Sequence, residues 1–307
     1  MVKIKHHIIN KSFQNLPVVA TNLSLYMDGV NDIVDTPNTA STSNQRLIHP
    51  NANQKFTILF LCRFEAIKSG QWNTIYRYNA DQFVASKGFE IAIRQGASGG
   101  EIGMVWGNAF TRFSTANSTY QSIYSNDVIQ TGVNYLVVIT MPTTDTFGTI
   151  QINTVDETAT HVNGGVNNPD SFNSNSRLGI GCHPNFGTSA SHYSGYQQPE
   201  WYISHLTAYW GWIGQNNVDI IADLIVNQGV FPDLDNPAFY ENYLDDAPSV
   251  WSWEADSTGH PTYNGTQKPV PMTFMTMQTG TTVDDNGWLN TPRLNNGALI
   301  TSQDLMP

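Results

Sequence analysis

The segment FTILFLCRF, residues 56–64, is the clearest strand in the sequence. Side chains two residues apart in a strand point to the same face. One face of this segment carries only apolar residues, namely Phe56, Ile58, Phe60, Cys62 and Phe64. The opposite face carries two leucines with a threonine and an arginine, so it is largely apolar as well. We therefore expect both faces of this strand to be covered by other parts of the protein.

Working outward from this strand, short segments with similar patterns recur along the chain and are separated by Gly, Asn, Asp and Pro. They are predicted as strands at 72–78, 89–94, 102–106, 135–141, 149–153, 177–182 and 202–212. Strands of this length, spaced by turn residues, are typical of a meandering or Greek-key arrangement. The sequence therefore predicts an all-β protein, a two-sheet antiparallel jelly-roll sandwich.

One segment has a helical period instead. Apolar residues recur at three- and four-residue spacing in QNNVDIIADLIVNQG, at Val218, Ile221, Leu224 and Ile225. Asn216 or Asn217 can cap the start of a helix, and Gly229 can adopt the left-handed conformation that ends one. We predict one short helix over about residues 217–227, packed against the sandwich.

The sandwich is predicted to occupy residues 22–230, between two segments of different character. Residues 1–21 have no clear period and are interpreted as an N-terminal arm. Residues 231–307 are rich in proline, which interrupts regular elements, and are interpreted as an extension with a few short strands. Since neither segment has an evident core, we expect both to become ordered by lying on neighbouring subunits.

Composition excludes several classes of function. Only 13% of the 307 residues are charged, and 25 acidic residues against 14 Lys and Arg give a net charge of -11. No basic run could follow a phosphate backbone, so nucleic acid is excluded as a partner. The apolar runs are too short for a membrane helix, and the N-terminus lacks the apolar core of a secretory signal. We expect Cys62 and Cys182 to be buried thiols in a reducing compartment, with a single disulfide as the alternative.

Several segments together resemble the concanavalin A-like lectin and glucanase superfamily, in particular its laminin-G-like jelly rolls. LYMDGVNDIVDTP, residues 25–37, resembles the first strand, and FTILFLCRF the next long one. SRLGIGC, residues 176–182, resembles a late strand, and YISHLTAYWGWIGQNNVDIIADLI, residues 202–225, resembles the last strand with its terminal helix. The resemblance covers about residues 22–227 and implies the jelly-roll fold. It does not specify the function, because such sandwiches serve as lectins, glycosidases, adhesion modules and virus structural parts.

Aromatic residues provide the candidate glycan-binding site. Trp72, Tyr76 and Tyr78 are predicted to share one strand face, with Trp106 on a strand that could lie beside it. Aromatic rings offer flat apolar surfaces to sugar rings. The alternative is that these side chains fill the core, as buried aromatic residues usually do.

A candidate metal site lies in the first motif. The resemblance to laminin-G-like domains implies that Asp28, Asp32 and Asp35 could provide oxygen ligands for calcium. Calcium needs six to eight oxygens, and an acidic run of this kind is more often a turn. We therefore expect no cofactor, with calcium at this run as the alternative.

Catalysis has no positive support in the sequence. Glycosidases use two carboxyl groups about 5 to 9 Å apart, and the sandwich has no strand with alternating acidic residues. The nearest pair, Glu254 and Asp256, lies in the extension. Neither a Gly-x-Ser-x-Gly elbow nor an HExxH motif is present. The prediction is a protein that is not an enzyme.

These expectations favour a virion structural protein, a bacteriophage capsid decoration or tail protein assembled in the host cytoplasm. Its arms would bind other virion proteins or copies of itself, and its jelly roll could bind glycans on the host surface. Two alternatives remain open at this point. One is a secreted or surface carbohydrate-binding, lectin-like module, and the other is a glycoside hydrolase or lyase.

Overall fold

A computed structural model describes residues 15–21, 23–30, 32–35, 56–70, 72–79, 88–107, 120–141, 148–163, 177–181, 198–210, 213–234, 236, 238–239, 243–244, 254–255, 261–262, 270–275, 293–295 and 299–307 of the chain. Its strands and one long helix are, in chain order, β1 Ser24–Met27, β2 Ile33–Asp35, β3 Phe56–Ala66, β4 Asn73–Asn79, β5 Gly88–Gln95, β6 Gly100–Gly107, β7 Tyr120–Ile129, β8 Asn134–Met141, β9 Thr149–Ile152, β10 Val155–Asp156, β11 Thr158–Asn163, β12 Arg177–Ile180, β13 Glu200–Trp210, α1 Gln215–Val226, β14 Glu254–Ala255, β15 Pro261–Thr262, β16 Val270–Met275, β17 Arg293–Asn295 and β18 Leu299–Thr301.

The strands form two large antiparallel sheets and one small hairpin. Sheet I has the order β10-β9-β8-β3-β13-β1-β18, and β16 also pairs with β13. Sheet II has the order β11-β7-β6-β5-β4-β12-β2-β17, and β14 pairs with β15. The predicted two-sheet antiparallel jelly-roll sandwich is confirmed.

The main core lies between the two sheets. Ile58, Phe60, Cys62 and Phe64 of β3 are buried there, as the period of two predicts. The ring of Phe64 stacks on Trp201 of the neighbouring strand, with centroids 5.6 Å apart. Cys62 is fully buried, and burial raises the pKa of its thiol. Cys182 lies outside the described residues, so the expected state of the two cysteines stays a prediction.

A second core covers the outer face of sheet I. Leu59 and Leu61 of β3 and two residues of β8 pack there against α1 and against the segment after the helix. Both ends of the protein contribute apolar side chains, and the buried members beyond the helix are Phe231, Leu234, Phe239, Tyr243, Leu244 and Leu305. The second face of FTILFLCRF is therefore covered, as expected, but by the protein's own terminal segments.

In their described parts both end segments pack on the sandwich of their own chain, and their expected contacts with neighbouring subunits stay a prediction. On the N-terminal side, Val19 donates its N–H to the carbonyl of Phe231, and Asp233 donates to the carbonyl of Pro17. At the C-terminal end, β18 adds an edge strand to sheet I beside β1. Apolar residues in 231–307 thus have a core to join, which the proline content of that segment had obscured.

The helix α1 lies where it was predicted but starts differently. It begins at Gln215, after Gly214 with φ of 88°, and no side chain caps it. The predicted cap Asn217 lies inside the helix, where its side-chain amide donates to the carbonyl of Ile213. Gly229, with φ of 66°, takes the left-handed conformation as predicted. No helix in the described part of the chain is long and apolar enough to cross a bilayer.

Two features of the strands were not foreseen. The motif at 25–37 is not one strand, because β1 belongs to sheet I and β2 to sheet II, with the turn at Gly29 between them. Strands β7 and β11 were missed altogether. They extend sheet II beyond β6, because β7 lies between β6 and β11.

Candidate functional site

A cleft of about 620 Å³ opens on the outer face of sheet II, at the end where β5 turns into β6. We call it the Trp72 cleft and define it by its principal side chains: Trp72, Arg94, Gln95, Glu101, Asn126 and Asp127. Five of these six are charged or amide side chains on β5, β6 and β7, and the tryptophan directly precedes β4. The cleft therefore joins one aromatic wall to several hydrogen-bonding groups.

Trp72 is held against the sheet by aromatic and cationic neighbours. Its ring lies 5.6 Å from the ring of Tyr124, and it packs on the small apolar cluster formed by Ala92, Val105 and Tyr124. The guanidinium of Arg94 lies over the indole, 4.7 Å from its centroid. Such a cation–π contact stabilises the arrangement by about 0.5–1 kcal/mol at an exposed position. The indole is thus fixed in place yet partly exposed.

Arg94 and Glu101 form an ion pair across the cleft floor. They are directly opposite each other on β5 and β6. Both Nε and Nη2 of Arg94 lie 2.7 Å from the same oxygen, Oε2 of Glu101. The arginine side chain is 46% exposed and the glutamate 13%, so the pair borders solvent and contributes little to stability. Its main effect is to orient both groups in the cleft.

Asp127 supports the turn that closes one side of the cleft. Its Oδ2 accepts the N–H of Ser98 at 2.7 Å, and Gly96 donates to Gly99 within the same turn at 2.7 Å. A side chain at Gly96 would not fit, because a Cβ there would lie 2.6 Å from Cβ of Asp127. Hydrogen bonds from the Ser98 backbone, and from further turn groups, hold the pKa of Asp127 below its usual range.

Asn126 is oriented by a residue outside the cleft. Its side-chain nitrogen donates to Oε2 of Glu157 at 2.8 Å, and its backbone N–H donates to the carbonyl of the same glutamate at 2.8 Å. Because a carboxylate accepts hydrogen bonds only, this contact assigns nitrogen and oxygen within the amide. Oδ1 of Asn126 is thereby left available on an exposed side chain.

The predicted aromatic site is not assembled as expected. Thr74 pairs with Ala92, but Tyr76 pairs with Ile91, so β4 carries one extra residue between them. This β-bulge reverses the alternation of side chains. Trp72 consequently lies on the outer face of sheet II, whereas Tyr76 is fully buried between the sheets. The prediction that these two residues share a face is wrong.

The other two predicted aromatic residues lie in one row of sheet II. Tyr78 of β4 is opposite Phe89 of β5, and Phe89 is opposite Trp106 of β6. Strand β5 therefore separates Tyr78 from Trp106. Their side chains are outside what the structure describes, so a role for them in glycan binding stays a prediction.

The predicted calcium residues lie at the corner where the chain crosses between sheets. Asp32 is 2% exposed; its Oδ2 accepts the N–H of Asp28 at 2.9 Å, while its Oδ1 is buried without a hydrogen bond. Burial, together with the charge of Asp28, raises the pKa of Asp32. The side chain of Asp35 is not described, and Lys68 donates to the carbonyl of Gly29 in this corner. Within the described residues no group of three or more His, Cys, Asp or Glu side chains is placed to hold a metal.

The polar residues of the Trp72 cleft have only a weak signature in the sequence. Arg94 and Glu101 look like ordinary exposed charges at strand ends, and Asn126 and Asp127 lie in a strand that was not recognised. The usable signal was the hairpin RQGASGGE, residues 94–101, because a glycine-rich turn places its two flanking residues opposite each other. That signal indicates the Arg94–Glu101 pair, but not the neighbouring strand.

No protein-family model matches this chain, and no curated protein matches it. Among solved structures it is similar to a heptameric SAP-like pentraxin from Limulus polyphemus, with 11% identity, a TM-score of 0.47, and coverage of 66% of this chain and 82% of the pentraxin. It is similar to a putative carbohydrate binding protein from Bacteroides ovatus, with 12% identity, a TM-score of 0.48, and coverage of 94% of this chain and 61% of that one.

A third similar structure is the binding domain of botulinum neurotoxin serotype D, with 14% identity, a TM-score of 0.43, and coverage of 68% of this chain and 44% of that one. The matched parts make up less than two thirds of the toxin domain and of the Bacteroides protein. At TM-scores below 0.5 these likenesses carry no argument about fold or function, and they give no support to a bacteriophage origin.

Proposed function

We propose that this chain is a non-enzymatic, lectin-like protein that binds a saccharide in the Trp72 cleft. The observation that carries the proposal is the position of Trp72, a fixed and partly exposed indole beside the polar side chains of Arg94, Glu101 and Asn126. Sugars present both an apolar ring face and hydroxyl groups. An aromatic wall beside a few oriented polar groups is the arrangement that such a ligand requires.

The cleft also contains a pair of carboxylates, and this is the observation that would favour a glycoside hydrolase. Glu101 and Asp127 are opposite each other on β6 and β7. A glycosidase needs one carboxyl group that stays protonated, which apolar surroundings provide. Here Glu101 is bonded to Arg94, and the pKa of Asp127 is lowered by the turn amides. Neither group has the surroundings of a general acid, so we favour binding over cleavage.

The proposal replaces the virion interpretation as the preferred function. That interpretation depended on end segments that reach neighbouring subunits, whereas residues 15–20 and 299–306 pack on the sandwich of their own chain. A role in a virion that is assembled in the host cytoplasm stays a prediction without a structural observation to favour it.

The experiment is a glycan array followed by calorimetry on the best binder. We expect Trp72→Ala to weaken binding at least tenfold, because stacking on an aromatic ring contributes about 1 kcal/mol or more beyond its buried area. Tyr26→Ala is the matched control, since Tyr26 is a partly exposed aromatic residue on sheet I that packs on Tyr202. The control should bind normally, and the glycan should be recovered uncleaved.

Three results would contradict the proposal. Equal loss of binding in both variants would place the site elsewhere, and release of a shortened glycan by the wild-type protein would favour the hydrolase. A protein that binds no glycan on a broad array would also refute saccharide binding as its function.

A further inference from the structure

The side chains of the Trp72 cleft keep both hydrogen-bond acceptors and donors available to a ligand. In Glu101 both bonds from Arg94 go to Oε2, and no residue in the described part of the chain donates to Oε1. In Asn126 one side-chain N–H donates to Glu157, which leaves Oδ1 as an acceptor and the second N–H as a donor. Arg94 keeps both N–H groups of Nη1 and one of Nη2 as donors. A ligand that both donates and accepts hydrogen bonds can therefore use all of these groups.

The charges of the cleft disfavour an anionic ligand. Arg94 contributes one positive charge, whereas Glu101 and Asp127 contribute two negative charges, so the cleft carries a net charge of about -1. The positive charge is already compensated by the carboxylate 2.7 Å away. The whole chain adds a net charge of -11. An anionic ligand would meet repulsion from both carboxylates and from the protein as a whole.

From these two observations we infer that the Trp72 cleft selects neutral, hydroxyl-rich saccharides and rejects sugars that carry a carboxylate. A hydroxyl group donates and accepts, so a pair of neighbouring hydroxyls can donate to Glu101 and Asn126 while accepting from Arg94. A carboxylate only accepts, so it can use the donors of Arg94 and Asn126 but not the acceptors, and it is repelled by the charges of Glu101 and Asp127. This inference rests on the proposed function and adds the class of ligand to it.

The first test compares matched glycans on the wild-type protein. The probes are neutral oligosaccharides, each paired with the same oligosaccharide carrying one sialic or uronic acid. We expect the neutral member to bind at least tenfold more tightly. Raising the salt concentration should strengthen binding of the acidic member and leave the neutral one unchanged, because salt screens repulsion between charges.

The second test removes the negative charge of Glu101, which is one of the two carboxylates expected to repel an acidic glycan. Glu101→Gln keeps the shape of the side chain but removes its charge, which leaves Arg94 uncompensated. We expect the preference for the neutral member to fall at least tenfold, through tighter binding of the acidic one. Glu65→Gln is the control, because Glu65 forms a similar exposed pair with Arg63 on sheet I, 2.6 Å apart. The control should keep the wild-type preference.

The outcomes separate this inference from the proposed function. If Trp72→Ala abolishes binding but the acidic glycans bind as tightly as the neutral ones, saccharide binding stands and the selectivity is refuted. If Glu101→Gln weakens both members equally, the carboxylate does not discriminate and the inference also fails. If no glycan binds at all, the proposed function fails and this inference with it.

Discussion

The two outer faces of the sandwich are used in opposite ways. On sheet I the outer face is apolar, and the protein covers it with α1, with buried residues from the segment after the helix and with Leu305. On sheet II the outer face carries polar and charged residues, and part of it forms the Trp72 cleft. A sandwich needs only its inner faces for a core, so each outer face is available for another purpose. Here one face anchors the chain ends, and the other carries the candidate binding site.

Two ion pairs among the described residues of sheet II differ in burial. The pair Arg77–Glu90 is buried, with exposures of 1% and 0% and an N–O distance of 2.5 Å, and Thr74 donates to the second oxygen of Glu90. The bulge in β4 makes this possible, since it places Thr74 and Arg77 on one face although they are three residues apart. The Arg94–Glu101 pair borders solvent. Only the second pair is available to a ligand.

The largest effect is expected from breaking the buried pair. Arg77→Ala leaves the carboxylate of Glu90 buried and uncompensated, which should reduce the free energy of unfolding by about 3–5 kcal/mol. Arg94→Ala removes a pair that borders solvent and should reduce the free energy of unfolding by only about 1 kcal/mol. Urea denaturation of both variants measures the difference. Equal destabilisation would mean that burial does not distinguish the two pairs.

The next effect concerns the covering of sheet I by the C-terminal segment. Leu305 is fully buried, so Leu305→Ala should reduce the free energy of unfolding by about 2–5 kcal/mol. Leu299 lies earlier in the same segment and is 57% exposed, so Leu299→Ala should change it by less than about 0.5 kcal/mol. Thermal unfolding of the two variants tests this. If Leu305→Ala left the free energy of unfolding unchanged, the interpretation that this segment lies on a neighbouring subunit would be favoured instead.

A pH-dependent change in stability is expected from His205, which lies where the two end segments meet. His205 lies at a bulge of β13 with φ of 50°, is 1% exposed, and stacks on Phe231 with centroids 4.3 Å apart. Burial lowers the pKa of His205 to about 4, and the opposing effects of a hydrogen bond with the Ala20 backbone and of the charge of Asp304 are smaller. Among the described residues, Asp304 is the charged group that acts on this imidazole.

The sign of the pH dependence follows from this shift. Since the folded pKa lies below the usual value of 6.5, the unfolded chain takes up a proton that the folded protein resists. As the pH is lowered from roughly 6.5 to 4, the free energy of unfolding should fall by up to about 3 kcal/mol, and below that pH it should level off. His205→Asn is the matched variant, because asparagine tolerates positive φ. It should lose this part of the pH dependence; an unchanged profile would show that His205 is not its source.

The sequence predicted those parts of the fold that depend on regular periods. The alternation in β3 and the helical spacing of Val218, Ile221 and Leu224 were sufficient to predict two covered faces and one helix. The contribution of the segment after the helix to the outer face of sheet I was not predicted, because Phe231 and Leu234 are separated by proline and aspartate and show no period. Their burial depends on tertiary contacts with α1 and sheet I.

The candidate site was predictable only in part, and for a definite reason. Trp72 was identified as an aromatic residue suited to a sugar, but its partners were assigned by a period of two that the bulge in β4 interrupts. One extra residue moves every later side chain of the strand to the other face. The polar partners on β7 were missed because Ser125, Asn126 and Asp127 together resemble a turn rather than a strand.

Hydrogen–deuterium exchange with and without a bound neutral glycan tests the central claim most directly, because it observes both outer faces in one experiment. We expect slower exchange in residues 94–101 and 124–127 of sheet II, and no change in α1 or in residues 231–234. The protected segments contain the turn and the strand that form the Trp72 cleft. Protection confined to α1 and the segment after it, with none at the cleft, would contradict the assignment of the binding site to sheet II.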